Sequence, residues 1–123
     1  MSAPSVLIIE DDPDSQYVYQ IYLQHKGFGV LAARTGEEGL RTAGETLPDV
    51  ILMDISIPGL DGWEVTRRLK SQPATRDIPV IVITAHAFPE DREKSKEAGC
   101  QGFLTKPCEP KEVLEEILRV MRK

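Results

Sequence analysis

Cysteine is nearly absent: Cys100 and Cys108 are all that 123 residues hold. Two cysteines make no disulfide framework, and their spacing fits no metal-binding pattern. They read as reduced thiols, which points to a cytoplasmic protein. No apolar run approaches the roughly 18–20 residues of a membrane span. Met1-Ser2-Ala3-Pro4 lacks a basic n-region and a long apolar stretch, so no signal peptide is evident. Positive charge is also short. Fifteen Lys and Arg stand against 20 Asp and Glu, a net charge of -5, which excludes a phosphate-binding nucleic-acid surface. Repeats, low-complexity tracts and linkers are missing too. The expectation is therefore one domain over 1–123, with no output domain attached and neither nucleic acid nor membrane as a partner.

What the chain does have is an ordinary globular composition, 41% hydrophobic and 28% charged, arranged around one stretch. Val50-Ile51-Leu52-Met53 is an unbroken apolar run followed by Asp54, the mark of a buried strand that ends in a carboxylate. Pro58, Gly59 and Gly62 force a loop just beyond it. A carboxylate fixed at the tip of a buried strand suits chemistry better than packing.

Similar short apolar runs occur at Ser5–Ile9, Gly29–Ala33, Pro79–Ile83 and Gly102–Thr105. Helical patterns lie between them. The first follows Glu10-Asp11-Asp12-Pro13, places Val18, Ile21 and Tyr22 at helical spacing, and closes at Gly27. The second opens with the capping box Thr35-Gly36-Glu37-Glu38 and shows Leu40, Ala43 and Leu47 as its apolar face. The third starts at Asp61-Gly62, with Val65 and Leu69 four apart, and stops before Pro73. Pro89 to Ala98 looks helical with almost no apolar face, and Gly99 caps it. The last begins at Pro110 and carries Val113, Ile117 and Val120; Glu109 before it is a poor N-cap.

Five strands alternating with five helices predict an α/β fold, a doubly wound parallel sheet covered on both faces. All strand ends then point to one edge, where open α/β folds bind ligands. Strand one brings Glu10, Asp11 and Asp12 there, strand three Asp54, strand four Thr84 and strand five Lys106. Crowded carboxylates repel one another, and a divalent cation relieves that. An oxygen-only set with room for water suits Mg²⁺. Metal, ammonium and hydroxyl around one carboxylate can stabilise a phosphoryl group in transfer, so Asp54 reads as a nucleophile forming an aspartyl phosphate.

Four motifs in order carry a specific resemblance: Leu7-Ile8-Ile9-Glu10-Asp11-Asp12, Leu52-Met53-Asp54 with Pro58 and Asp61-Gly62, Ile83-Thr84-Ala85, and Leu104-Thr105-Lys106-Pro107. Over essentially its whole length the chain resembles the receiver domain of two-component response regulators, of the single-domain chemotaxis type. The resemblance implies a flavodoxin-like (βα)5 fold with strand order 2-1-3-4-5. It implies that Asp54 is the phospho-acceptor, supplied by a histidine kinase or a histidine phosphotransfer protein. Asp11 would bind Mg²⁺ (or Mn²⁺) directly and Glu10 through water, beside Asp54 and the backbone carbonyl of Ser56. Thr84 and Lys106 would hold the phosphoryl oxygens, with a cis Lys106-Pro107 bond. Thr84 and Phe103 would form the switch, and Ser56 and His86 would influence phosphoryl lifetime. Phe103 stands where many relatives have tyrosine, so its switching rests on packing alone. A downstream protein would be bound through the helix 4–strand 5–helix 5 face. Such a chain is no enzyme beyond catalysing its own phosphorylation and dephosphorylation.

Plainer readings stand beside these. Asp12 reads as a helix-start acid. Trp63 and Phe88 read as packing or rim residues, and His25 as a surface residue. Two other functions share the topology. A flavin-type electron carrier would cradle a phosphate after strand one, where Glu10-Asp11-Asp12 would repel it. A phosphorylation-independent interaction module would keep the pocket only as structure.

Overall fold

The computed structural model describes residues 3–55, 61–85 and 88–122. Ser56, Pro58 and His86 therefore lie outside the described residues. The elements run β1 (Ser5–Ile9), α1 (Pro13–His25), β2 (Gly29–Ala33), α2 (Gly36–Thr46), β3 (Val50–Asp54), α3 (Gly62–Ser71), β4 (Val80–Thr84), α4 (Pro89–Ala98), β5 (Gly102–Thr105) and α5 (Pro110–Met121). The strands form one parallel sheet in the order β2-β1-β3-β4-β5. The doubly wound α/β architecture expected from the alternation is the one observed.

Continuous apolar strands are required because both sheet faces are covered. On one face Val6, Ile8, Val50, Leu52, Ile81 and Ile83 meet Tyr19 and Leu23 of α1 and Val113, Ile117 and Val120 of α5. On the other, Leu7, Ile9, Ile51, Met53, Val80 and Val82 meet Ala43 of α2 and Val65 and Leu69 of α3. Each fully buried Leu or Ile contributes about 1.5–3 kcal/mol. α4 packs beside α3 and buries only Ser95 and Ala98, the thin anchoring that its sequence predicts. Gly99 ends it at φ 95°, a left-handed conformation open to glycine without steric cost.

Two helix faces differ from expectation. In α1 the buried positions are Tyr19 and Leu23, whereas Val18 is 50% and Ile21 47% exposed. Tyr22 does pack half-buried against the core, but the inward face of α1 also carries the polar Gln16, so hydrophobic spacing alone selects only part of the stripe. In α2, Leu47 falls at the C-cap with φ 49° and is exposed, leaving buried Ala43 and half-buried Leu40 to pack inward. The start of α5 is better held than Glu109 suggests, because Glu112 Oε1 accepts from the Glu109 N–H at 3.2 Å. Trp63 packs against the second core cluster and Phe88 is exposed at the start of α4.

β5 is an edge strand, and side chains of α5 cover its outward backbone. The Phe103 N–H donates to Glu116 Oε2 at 3.3 Å, and Arg119 Nη2 donates to the Gln101 carbonyl at 2.9 Å. Glu116 and Arg119 also bind each other through two contacts, 2.8 and 2.9 Å.

Candidate functional site

Register decides which strand ends meet. Ile9 pairs with Met53 and Asp54 with Ile83, so Glu10, Asp54 and Thr84 emerge side by side at the carboxyl edge. Thr84 pairs with Thr105, which brings Lys106 to the same rim. The Lys106 N–H donates to the Thr84 carbonyl at 2.7 Å, and the Lys106-Pro107 bond is cis, as the resemblance implies.

Side chains complete the cluster. Lys106 Nζ donates to Asp54 Oδ2 at 2.9 Å and to Glu10 Oε1 at 3.0 Å. Glu10 and Asp54 are almost fully buried, whereas Asp11 is exposed. Ligand oxygens of Glu10, Asp11 and Asp54 all lie within 4.8 Å of one another, a set able to hold a metal ion. Carboxylate oxygens opening to solvent at the exposed Asp11 suit a hard cation that keeps water, which is Mg²⁺ chemistry. Thr84 is buried beside them.

Electrostatics follow from this packing. Burial, and next to it the hydrogen bond and charge of Asp54, raise the Glu10 carboxyl from 4.5 to about 7, although the Asp12 N–H and Lys106 pull the other way. Burial disfavours the Lys106 ammonium, but hydrogen bonds with Asp54 and Glu10 outweigh that and raise its pKa above a free lysine's. The pocket thus holds its cation charged and one acid poised between protonation states.

The remaining predicted residues fall as follows. Asp12 is the N-cap of α1: its Oδ2 accepts from the Ser15 N–H at 3.4 Å and the Ser15 hydroxyl at 2.7 Å. Phe103 is half-buried, and the Arg92 guanidinium lies 4.7 Å from its ring centroid. Asp61 caps α3, and Gly62 approaches Ile55, the residue after Asp54, so closely that a Cβ would sit 2.6 Å from the Ile55 Cα. Burial raises the pKa of both thiols, Cys108 to about 11 with help from Glu112, Glu109 and Glu116, which disfavours the thiolate at neutral pH.

Sequence reasoning missed three residues here. Arg92 has no sequence signal beyond its place in a charged helix. Gln16 Nε2 donates to the carbonyls of Glu10, at 3.3 Å, and Ala33, at 3.1 Å; Tyr19 Oη donates to the Cys108 carbonyl at 3.1 Å. Their spacing, three apart on one helical face, was the available signal.

A parallel sheet in this order, with three acids and a lysine gathered at its carboxyl edge, defines the receiver class of phosphoacceptor signalling switches. The chain belongs to that family: residues 6–118 match the response regulator receiver domain. It is 37% identical over 113 residues to the polar-differentiation response regulator DivK of Brucella abortus, covering 92% of each chain. Among solved structures it is similar to chemotaxis protein CheY4 of Vibrio cholerae, at 28% identity and TM-score 0.92 over 97% of this chain and 99% of that one. It is also similar to the receiver domain of sensor histidine kinase PA1611 from Pseudomonas aeruginosa, with a magnesium ion coordinated in its active site cleft. That match has 33% identity and TM-score 0.91, over 99% of this chain and 100% of that one. The protein is a receiver of two-component signalling. Among the described residues no helix is long and apolar enough to cross a membrane.

Proposed function

We propose that Asp54 is the phospho-acceptor of this receiver, and that its phosphorylation state controls partner binding. The observation that carries this is the Lys106 ammonium 2.9 Å from Asp54 Oδ2, within an acid cluster at the sheet edge. An Asp54 oxygen attacks the phosphorus of a phosphohistidine, the P–N bond breaks, and the imidazole leaves with a proton from solvent. Lys106 balances the charge on the phosphoryl oxygens, and Thr84 supplies a hydroxyl at the same rim. Mg²⁺ (or Mn²⁺), held by Glu10, Asp11, Asp54 and the Ser56 carbonyl, would neutralise the remaining charge. Water attack on the aspartyl phosphate later returns the carboxylate and inorganic phosphate, at a rate that Ser56 and His86 influence.

The donor is a histidine kinase or histidine phosphotransfer protein. An apolar groove of about 430 Å³ along α1, lined by Tyr17, Val18, Ile21, Tyr22, His25 and Pro110, supports docking of that donor on α1. The downstream partner is read on the α4–β5–α5 face. A cavity of about 290 Å³ there, lined by Arg92, Lys96, Phe103 and Arg119 among others, supports this. Phe103 reports the pocket to that face as Thr84 moves, shifting an existing equilibrium. The reading includes a cytoplasmic switch that catalyses only its own phosphorylation and dephosphorylation. Incubation with radiolabelled acetyl phosphate and Mg²⁺ tests it: the parent should take up acid-labile label and Asp54→Asn none. Full labelling of Asp54→Asn moves the acceptor elsewhere, and an unlabelled parent leaves a phosphorylation-independent module.

A further inference from the structure

We propose that Gln16 and Tyr19 are positioning residues through which α1 sets the spacing between the acidic and cationic halves of the pocket. Gln16 Nε2 bridges the carbonyl of Glu10, the residue just past β1, at 3.3 Å and that of Ala33, the last residue of β2, at 3.1 Å. The Ala33 carbonyl also accepts from the Glu10 N–H at 3.0 Å, so the end of β1 is pinned just where Glu10 and Asp11 project. Three residues on, Tyr19 Oη donates to the carbonyl of Cys108 at 3.1 Å, two residues beyond Lys106. On its other side Lys106 is tied by its own N–H to the Thr84 carbonyl.

Neither side chain touches a reacting group. Each binds main chain adjoining one half of the pocket, and one helical face carries both. Tyr19 is 7% exposed and burial raises the phenol's pKa, so it stays protonated and donates. An apolar pair would bury as well, so packing does not account for two donors aimed at two different loops. Gln16 governs the acid half, which binds the cation. Tyr19 governs the Lys106 half, which meets the phosphoryl group.

This rests on the phosphoacceptor reading and predicts a separation of effects. Mg²⁺ affinity is measured by calorimetry, and the rate of labelling by acetyl phosphate is measured at saturating Mg²⁺. Gln16→Met, similar in size but without a donor, should weaken Mg²⁺ severalfold and change the saturated rate less. Tyr19→Phe should do the reverse, slowing the saturated rate severalfold with less effect on the Mg²⁺ constant. Should either variant melt below the assay temperature, Gln16→Asn, which keeps the amide but shortens its reach, should show the weakened Mg²⁺ binding. Lowered melting temperature with both constants unchanged, or equal loss of both constants in both variants, overturns the proposal. A parent chain that binds no Mg²⁺ and takes no label sinks the phosphoacceptor reading and this proposal with it. A parent that does both while the variants fail to separate sinks this proposal alone.

Discussion

Glu10 and Lys106, 96 residues apart in the chain, meet at 3.0 Å, so the ammonium that faces Asp54 is shared with a second buried acid. That sharing sets up a competition. The lysine occupies carboxylate oxygens that a divalent ion would also use.

Lys106→Met should therefore bind Mg²⁺ severalfold more tightly than the parent while accepting a phosphoryl group much more slowly. Removing a positive charge in contact with two ligand carboxylates removes repulsion on the order of 1 kcal/mol or more toward the incoming cation. Calorimetry and labelling on one preparation check both halves. Weaker Mg²⁺ binding in the variant would mean that Lys106 organises the acids instead of competing for them.

Asp11 is the exposed member of the acid cluster and has the most freedom to meet an ion. Asp11→Ala is expected to lose most Mg²⁺ affinity with little change in melting temperature, since exposed substitutions usually alter stability by no more than about 0.5 kcal/mol. Unchanged calorimetry would place the ion elsewhere.

Glu10 gives a pH dependence whose sign is fixed. Its folded pKa, raised from 4.5 to about 7, means the native chain keeps a proton that the unfolded chain has released. Stability of the metal-free protein is then greatest below the unfolded value and falls as pH climbs through that window, by up to about 3 kcal/mol from this group. Thermal melts in EDTA should show the melting temperature falling between pH 5 and 8, with a flatter profile in Glu10→Gln. An equally steep variant would assign the titration to another group.

Gly62→Ala should destabilise the fold by about 1–3 kcal/mol, the usual cost of forcing extra atoms into a packed place. The new Cβ would sit 2.6 Å from the Ile55 Cα, and backbone yields less readily than a side-chain end. Because Ile55 follows Asp54, slower phosphorylation should accompany the loss. Denaturant melts and labelling rates test the pair of effects.

Much of this architecture was legible in the residues. Val50 to Met53 and Val80 to Ile83 read as strands buried on both faces, and alternation with helices then dictates a common carboxyl edge. Thr35, Asp61 and Gly99 announce helix ends by their local chemistry, and each sits where its side chain or φ requires. The bond between Glu10 and Lys106 was not legible, because it depends on which neighbour a flexible ammonium selects. The α1 face was legible only at Tyr22, for a related reason. Gln16 points inward to satisfy two carbonyls, and a pattern of apolar residues has no symbol for a polar group held by main chain.

The Glu116–Arg119 pair at the β5 edge constrains how anything can dock there. An extended peptide trying to lengthen the sheet on that side would find the Phe103 amide and Gln101 carbonyl already taken by two ionic groups that also hold each other. Recognition on this flank is then favoured by side-chain contact, and the same obstruction opposes two copies of the molecule zipping together through their β5 edges.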